Sequence, residues 1–498
     1  MIKTLLLIAT LFAFTNGFSQ TYTSTTIIGG TSTGVNALSN PVAFDVSSDG
    51  RFFITQKGGV NGMATNAIIK VCTAGPTSQG TLLSNFYDLT DSCNSGFERG
   101  LLGIELDPDF DNNHYVYVYY NHNYNNDERI RIVRFTEVSN LGTNPTIIFD
   151  LDVSNTIPGN HVGGNLHFRP SEPSKIYFTI GDLAHEQDDP ILNYANKITN
   201  PYGKVLRINR DGSVPTDNPY YDDGNPLATN CDWIWSYGHR NPFDFCFSPV
   251  SDSMYVSENG WNTWDETNII HRGAFYGWAN CEGNYVNSST TDPCITPNAV
   301  APIGTWGIPL PAITGIVYYS GAAWPALDNH IIIADNDYGR IYDCTLGNAP
   351  AYDVITSRVQ LGDLTTSGGL TTLKQSDDGC IFAMKGGYTA SGAIYKVCPL
   401  GFGLKENGSV LASLSAFPNP ATSNFSLEFY LTVSREITVE LTDITGRVVM
   451  TKKMDAAFGT NNLQFDLKQK SIEGGIYFVR LIDTKANQNL GNTKIIIE

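Results

Sequence analysis

Residues 235–283 read WSYGHRNPFDFCFSPVSDSMYVSENGWNTWDETNIIHRGAFYGWANCEG. A polar turn, Ser251-Asp252, leads into a short β-branched and aromatic run that ends in Glu258-Asn259-Gly260. The same unit recurs along the chain. Asp49-Gly50 precedes FFIT, Asn112-Asn113 precedes HYVYVYY, and Pro173-Ser174 precedes KIYFTIGD. Asp328-Asn329 precedes HIIIAD, and Asp378-Gly379 precedes CIFAMKGG. Counting the quoted stretch, these are six copies at intervals of roughly 50 to 80 residues, a period that points to radial or stacked β units. Each interval holds about four strands with long loops. The expected fold is all-β: a six-bladed β-propeller, whose closure leaves only short edges, followed by a small C-terminal β-sandwich.

Composition agrees with strands and turns. The 498 residues include 25 Tyr, 25 Phe and 47 Gly. The formal net charge of −18 argues against a nucleic-acid partner, since phosphate binding needs a basic surface. Lys3 followed by the apolar run Leu5–Phe14 and the small residues Gly17 and Ser19 reads as a secretory signal over 1–19. No later run is apolar and long enough for a transmembrane segment. Nine cysteines fit an oxidising compartment. Cys281 with Cys294 and Cys72 with Cys93 are candidate pairs, and Cys246 is the candidate odd thiol, packed in the core.

The repeat ends near Val397-Cys398-Pro399, which bounds the propeller at 20–400. A linker over 401–415 leads to a segment of different character, 416–498. Its runs ITVELTD, GRVVMTKK, NLQFDL, GIYFVRLID and TKIIIE are separated by turns at sandwich spacing.

Chemistry concentrates in a few loops of the repeat region. Arg240 and Asn241 stand between His239 and Pro242, and the strand that follows ends in an acidic, glycine-containing loop, a setting for an oxygen-rich anion and a hard cation. His161 lies in the glycine-rich loop Asn160–Leu166, where backbone can approach a ligand closely and an imidazole can take a proton from a hydroxyl. His167 reads as a packing residue and His185 as a second candidate for a pocket wall. Glu98 is a candidate ligand contact. Arg99 reads as a turn ion pair, and Lys204 and Arg207 as structural.

The segments ERGLLGIELDPDF (98–110), HVGGNL with KIYFTIGD (161–182), GKVLRINRDGSVPTDNPY (203–220), YGHRNPFDFCFSP (237–249), SENGWNTWDETNII (257–270) and GAFYGWANCEG (273–283) occur in one order. Together they resemble the glucose/sorbosone dehydrogenase family, soluble propellers that use pyrroloquinoline quinone (PQQ). They are also similar to hedgehog-interacting-type propellers, which need not be enzymes. The resemblance implies a secreted, calcium-dependent sugar dehydrogenase that oxidises an anomeric hydroxyl. His161 would be the general base and Arg240 the stabiliser of charge on the quinone oxygen. Glu98 and Asn241 would face the cofactor, with Asn160 standing where an acidic partner orients the base. Backbone carbonyls of Gly260 and Trp261 would hold Ca2+. Two cationic features of the family's glucose-oxidising branch do not recur: the fifth repeat reads ADNDYGRIY, with Asp337 nearest the expected lysine, and GGLTTLKQSDDG lacks an arginine pair. That leaves an alternative, a non-catalytic carbohydrate- or protein-binding propeller that has lost the cofactor. A calcium-dependent hydrolase is a third reading, without a converging set of carboxylates.

The C-terminal motifs FPNPA, DITGRVV, GGIYFVRL and TKIIIE resemble a type IX secretion sorting domain of type A. That implies handling by the type IX machinery, export across a Gram-negative outer membrane, and a secreted or cell-surface location.

Overall fold

The structure is a computed structural model that describes residues 22–59, 64–75, 80–125, 127–154, 159–184, 194–399, 411–431, 433–470, 472–485 and 488–498. The expected signal segment, His185 and most of the expected linker lie outside the described residues.

The chain divides into two compact units at Leu400/Gly401. The first holds six four-stranded antiparallel sheets. The first comprises Pro41–Val46, Arg51–Gln56, Ile68–Thr73 and Thr81–Asp88, paired in that order. The second runs Leu101–Leu106, Tyr115–Tyr124, Asp127–Val138 and Leu141–Asp152; the third Leu166–Arg169, Glu172–Ile180, Lys204–Asn209 and Ile234–Tyr237. The fourth is Asn241–Phe247, Met254–Asn259, Asp265–Ile270 and Gly304–Trp306, and the fifth Ile313–Tyr319, His330–Asp335, Arg340–Gly347 and Val354–Asp363. The sixth is Leu370–Gln375, Ile381–Lys385 and Ala393–Pro399, closed on its outer edge by the N-terminal strand Tyr22–Gly29. All six runs singled out in the sequence are second strands, one per sheet. In five of the six sheets the polar turn belongs to the connection from the first strand; in the third, Pro173-Ser174 already lies within the second strand, Glu172–Ile180, and the turn is at Pro170-Ser171.

The first strand of each sheet neighbours the first strand of the next, and the sixth returns to the first. Side chains pin this ring by bonding to the neighbouring sheet's backbone. Thr55 Oγ1 donates to Leu102 O (2.8 Å), Tyr119 OH to Val162 O (2.8 Å) and Asn165 Nδ2 to Phe243 O (3.2 Å). Ser257 donates to Thr314 O, Thr314 to Leu370 O (2.7 Å) and Thr372 to Val42 O (2.8 Å). Between sheets the faces are filled by large apolar side chains such as Phe44, Phe53, Tyr117, Phe178, Tyr255 and Tyr319, all buried. A fully buried side chain of this kind contributes roughly 1.5–3 kcal/mol.

Five of the six inner strands carry a β-bulge near their start, at Pro41/Phe44, Leu101/Gly103, Pro242/Asp244, Ile313/Ile316 and Leu370/Thr372. Alternation would otherwise send residues three apart to opposite faces. The extra residue resets the phase. Val42 and Asp45, Leu102 and Glu105, and Thr371 and Lys374 therefore each place both members at the ring's centre. In the third sheet, where the bulge lies at the far end of the inner strand, Asn165 and His167 are two apart and need no reset.

One layer along these strands from the cavity described below is an ionic ring. Lys374 Nζ lies 2.7 Å from Asp45 and 2.8 Å from Glu105. His167 bridges Glu105 (Nδ1, 3.1 Å) and Asp244 (Nε2, 3.1 Å). The expectation that His167 merely packs is corrected here: burial alone would depress its basicity, but the two carboxylates outweigh this and raise it to about 9. Burial likewise opposes the charge on Glu105, yet Lys374 and His167 hold it down at about 2.

The second unit contains a three-stranded sheet (Leu411–Phe417, Asn424–Leu431, Gly459–Asp466) and a four-stranded sheet (Val448–Ala456, Arg435–Asp443, Gly475–Asp483, Gln488–Ile497). Alternating inward residues, among them Phe425, Leu427, Phe429, Val439, Leu441 and Val479, form its core. Its first strand begins at Leu411, so the expected linker is shorter than 401–415. No helix among the described residues is long and apolar enough to cross a membrane.

Cys281–Cys294 is a disulfide, as expected, and Cys380–Cys398 is a second that joins the middle strands of the sixth sheet. Cys72 and Cys93 do not pair: both are buried free thiols on different elements. Cys246 is free and partly buried against the apolar contact between the fourth and fifth sheets.

Candidate active site

A cavity of about 170 Å³ occupies the centre of the ring. All six sheets or their adjoining loops line it, through Val42, Leu102, Asn165, Asn241, Thr314 and Thr371. The same strand ends and loops carry the candidate chemistry, as expected for a rigid β scaffold.

His161 sits beside this cavity, with its backbone in the left-handed region (φ 54°). Two contacts fix it. Its backbone N–H donates to Glu98 Oε2 (2.6 Å), and Nδ1 lies 2.6 Å from Asp182 Oδ1. Asp182 is held in turn by Trp278 Nε1 (2.7 Å, to Oδ2) and by the Ala184 N–H (2.8 Å). With Nδ1 occupied, Nε2 is the nitrogen left to meet a substrate proton. The acidic group that orients the His161 ring is therefore Asp182, across the loop, and not a residue at the Asn160 position. Asn160 is half-buried, next in the chain to His161. The only sequence signal for Asp182 is its place at the end of the strand run KIYFTIGD.

Arg240 comes to the same spot. Its carbonyl accepts from the Asp182 N–H (2.8 Å). Gly181 packs between the His161 and Arg240 backbones so tightly that a Cβ there would lie 2.3 Å from His161 O and 2.8 Å from Arg240 O. The guanidinium lies 5.5 Å from the ring centroids of both Trp261 and Trp278. It donates to Asn259 O (3.1 Å), while its buried Nε has no acceptor. Among the described residues no carboxylate reaches it within ion-pair distance. Burial lowers its basicity, against the field of Asp182 and Glu98. Glu98 and Asn241 lie on the cavity wall itself; His161 and Arg240 lie just behind it, joined to it through Glu98 and Asn259.

The loop from Gly260 to Trp264 wraps one carboxylate oxygen. Glu282 Oε1 accepts the N–H groups of Trp261 (2.6 Å), Asn262 (3.0 Å), Thr263 (3.0 Å) and Trp264 (3.2 Å). Trans peptides point N–H and C=O in opposite directions, so the Gly260 and Trp261 carbonyls turn away from Glu282. Gly260 is obligatory: a Cβ would lie 1.8 Å from Trp264 O. Its own N–H donates to Asp265 (2.9 Å), whose carboxyl is pushed up to about 6 by burial. Backbone carbonyl oxygens turned away from Glu282 in this way are hard donors of the type Ca2+ takes.

The wall also carries residues the sequence reading passed over. Lys57, from the end of the first sheet's second strand, is 3% exposed and lines the cavity with Asn336 and Tyr388. In the fifth repeat it is Asn336, not its neighbour Asp337, that reaches the wall. Arg99 pairs with Glu128 (3.1 Å), as a turn ion pair should. Lys204 is buried with its ammonium on the carbonyls of Ala195 (2.8 Å), Tyr194 (3.1 Å) and Tyr202. Arg207 is buried on Asn218 (2.7 Å) and Glu172 (3.3 Å), so both are structural.

Comparison with known proteins follows the same division. Residues 38–396 match the glucose/sorbosone dehydrogenase family, and residues 415–498 match the secretion system C-terminal sorting domain. The chain is 33% identical to quinoprotein glucose dehydrogenase B of Acinetobacter calcoaceticus over 37% of its own length and 41% of that protein. It is 28% identical to an aldose sugar dehydrogenase of Escherichia coli over 48% and 61%, so the chain spans about half the length of the curated relatives it matches. Arabidopsis thaliana HIPL1 protein is 28% identical over 25% of this chain and 19% of its own. Among solved structures, the apo Escherichia coli aldose sugar dehydrogenase superposes with a TM-score of 0.61 at 20% identity, covering 76% of this chain and all of that one. The PQQ-bound aldose sugar dehydrogenase of Streptomyces coelicolor gives 0.56 at 22%, covering 76% and 98%. The all-β unit with its central cavity is a member of the glucose/sorbosone dehydrogenase family, and it carries a C-terminal secretion sorting domain.

Proposed function

We propose that this chain is a secreted sugar dehydrogenase whose reaction takes place where the central cavity meets the His161–Asp182 pair. The observation that carries the reading is that the His161 and Arg240 backbones meet at Gly181, so that one place holds a residue with an oriented imidazole and one with a buried guanidinium that has a donor to spare. In this reading the six sheets are the blades of one propeller, and the C-terminal pair of sheets is a sandwich that directs type IX export across a Gram-negative outer membrane.

His161 Nε2 takes the proton of a sugar's anomeric hydroxyl, and Asp182 holds the ring in position and stabilises the imidazolium that forms. Arg240, clamped between Trp261 and Trp278, presents positive charge to an oxyanion without the cost of reorganising water. PQQ, when bound, would accept the hydride. The wall residues fit it in part: Glu98 and Asn241 line the cavity and would hold it, Asn160 is not on the wall, and the spare Arg240 donor would meet a quinone oxygen. The backbone carbonyls of Gly260 and Trp261 would hold Ca2+. Support for a cofactor of this kind comes from the family and from the bound group of the Streptomyces coelicolor relative.

The test is dye reduction by purified protein given PQQ, Ca2+ and a panel of aldoses. Turnover that depends on PQQ and disappears in His161→Ala supports the enzyme. Equal background in both proteins sinks it and leaves the binding propeller.

A further inference from the structure

Two cationic features expected from the family's glucose-oxidising branch are missing from the fifth and sixth repeats, so the question is what would neutralise an anionic ligand in this cavity. Lys57 answers it from another direction. Its ammonium is buried on the cavity wall and donates to Gly59 O (2.9 Å) and Ser95 O (2.7 Å). It lies 5.0 Å from the centroid of the Tyr388 ring, itself a wall residue. Among the described residues, no carboxylate is within ion-pair distance. An ammonium has three donors, and two are used. A buried cation without an anion is costly, and proteins ordinarily pair it. Lys204, equally buried, shows the contrast: three carbonyls take its donors, and it lines no part of the cavity.

We propose that Lys57 is the anchoring cation for a carboxylate of the molecule that fills the central cavity, its third donor completing a charge-assisted hydrogen bond to that group. This deepens the quinone reading and rests on it for the identity of the ligand; an acidic sugar such as a uronate would supply the same carboxylate. The side chain is suited to the task in a second way. Burial brings its basicity down to about 8, against the raising effect of the Glu98 charge. The bound carboxylate would restore the ordinary value, so affinity should hold below about pH 8 and fall above it.

The experiment is a titration of the full chain in the presence of Ca2+, followed by tryptophan fluorescence and by calorimetry. The probes are PQQ, its trimethyl ester, glucuronate and glucose. The proteins are wild type, Lys57→Met and Lys57→Gln, the glutamine amide retaining a donor for the Gly59 and Ser95 carbonyls. Thermal unfolding checks that each variant is folded. The expected result is about 10-fold or greater loss of PQQ affinity in both variants, the worth of one charge-assisted contact, with no further loss for the ester. PQQ binding that is tight and identical in all three proteins overturns the assignment of Lys57 and leaves the quinone reading standing. Glucuronate binding that depends on Lys57, without PQQ binding, overturns the quinone reading and keeps the carboxylate anchor. Wild type that binds neither acid overturns both.

Discussion

The centre of the ring presents two layers, and they treat charge in opposite ways. In the cavity layer, Lys57 and Arg240 are buried cations whose hydrogen bonds go only to carbonyl oxygens. One layer on, Lys374 and His167 are partly buried cations paired with Asp45, Glu105 and Asp244. Residue types overlap, and the paired cations are the less buried of the two sets. What differs is the partner. A buried charge whose counter-ion is supplied by the fold holds sheets together, whereas one that lacks a counter-ion and also faces the cavity, as Lys57 does and Lys204 does not, is placed to receive a ligand.

The largest expected effect tests the open layer. His161→Ala should lower sugar-dependent dye reduction about 10²–10⁴-fold, the range of a positioned general base, with the thermal midpoint nearly unchanged. A variant that keeps full turnover would mean that Asp182 and His161 are a structural pair like those of the ring. The complementary break is Lys374→Met, which leaves the partly buried Asp45 and Glu105 without their shared cation. Urea unfolding should show a loss of about 3–5 kcal/mol. A neutral outcome would erase the distinction between the layers.

A smaller effect sharpens the comparison through pH. His167 is raised from 6.5 to about 9, so its contribution is complete below 6.5 and disappears as pH rises through 9. Glu105 is lowered from 4.5 to about 2, so its contribution is complete above 4.5 and disappears as pH falls through 2. The thermal midpoint should therefore decline on both sides of that window, and His167→Gln should flatten the alkaline limb by a few degrees. The smallest effect comes from the rim. Arg99→Ala removes a half-exposed pair with Glu128, and equilibrium unfolding should register less than about 1 kcal/mol, with turnover intact.

The repeat was legible because five of the six second strands are preceded by a turn whose Asp, Asn or Gly can be read locally. His161, Arg240 and Glu98 were legible as polar residues in loops of little hydrophobic filler, and the structure does bring them together. Asp182 and Trp278 were not, since the contact spans 96 residues and neither residue is unusual where it stands. Lys57 was hidden for a related reason: at the end of RFFITQK it reads as a solvated strand terminus, and only ring closure turns it inward. His167 and Lys374 were misread or unread because an ionic ring has no linear signature. Its members are single residues on separate strands, and the directly bonded pair nearest in sequence, Glu105 and His167, is 62 positions apart. The cysteines divide in the same way: Cys281 and Cys294 bracket one loop, whereas Cys380 and Cys398 meet through strand register that spacing does not reveal.

The bulges at the head of five inner strands have a consequence for how such a site can diversify. Each is a one-residue slack between the mouth of the disc and its hub. Side chains on the mouth side can be exchanged, and the loops feeding them lengthened, without rotating the hub residues out of their ion pairs. Removing that single residue from one strand should do the reverse, turning a hub charge into the apolar seam between blades while the mouth stays as it was.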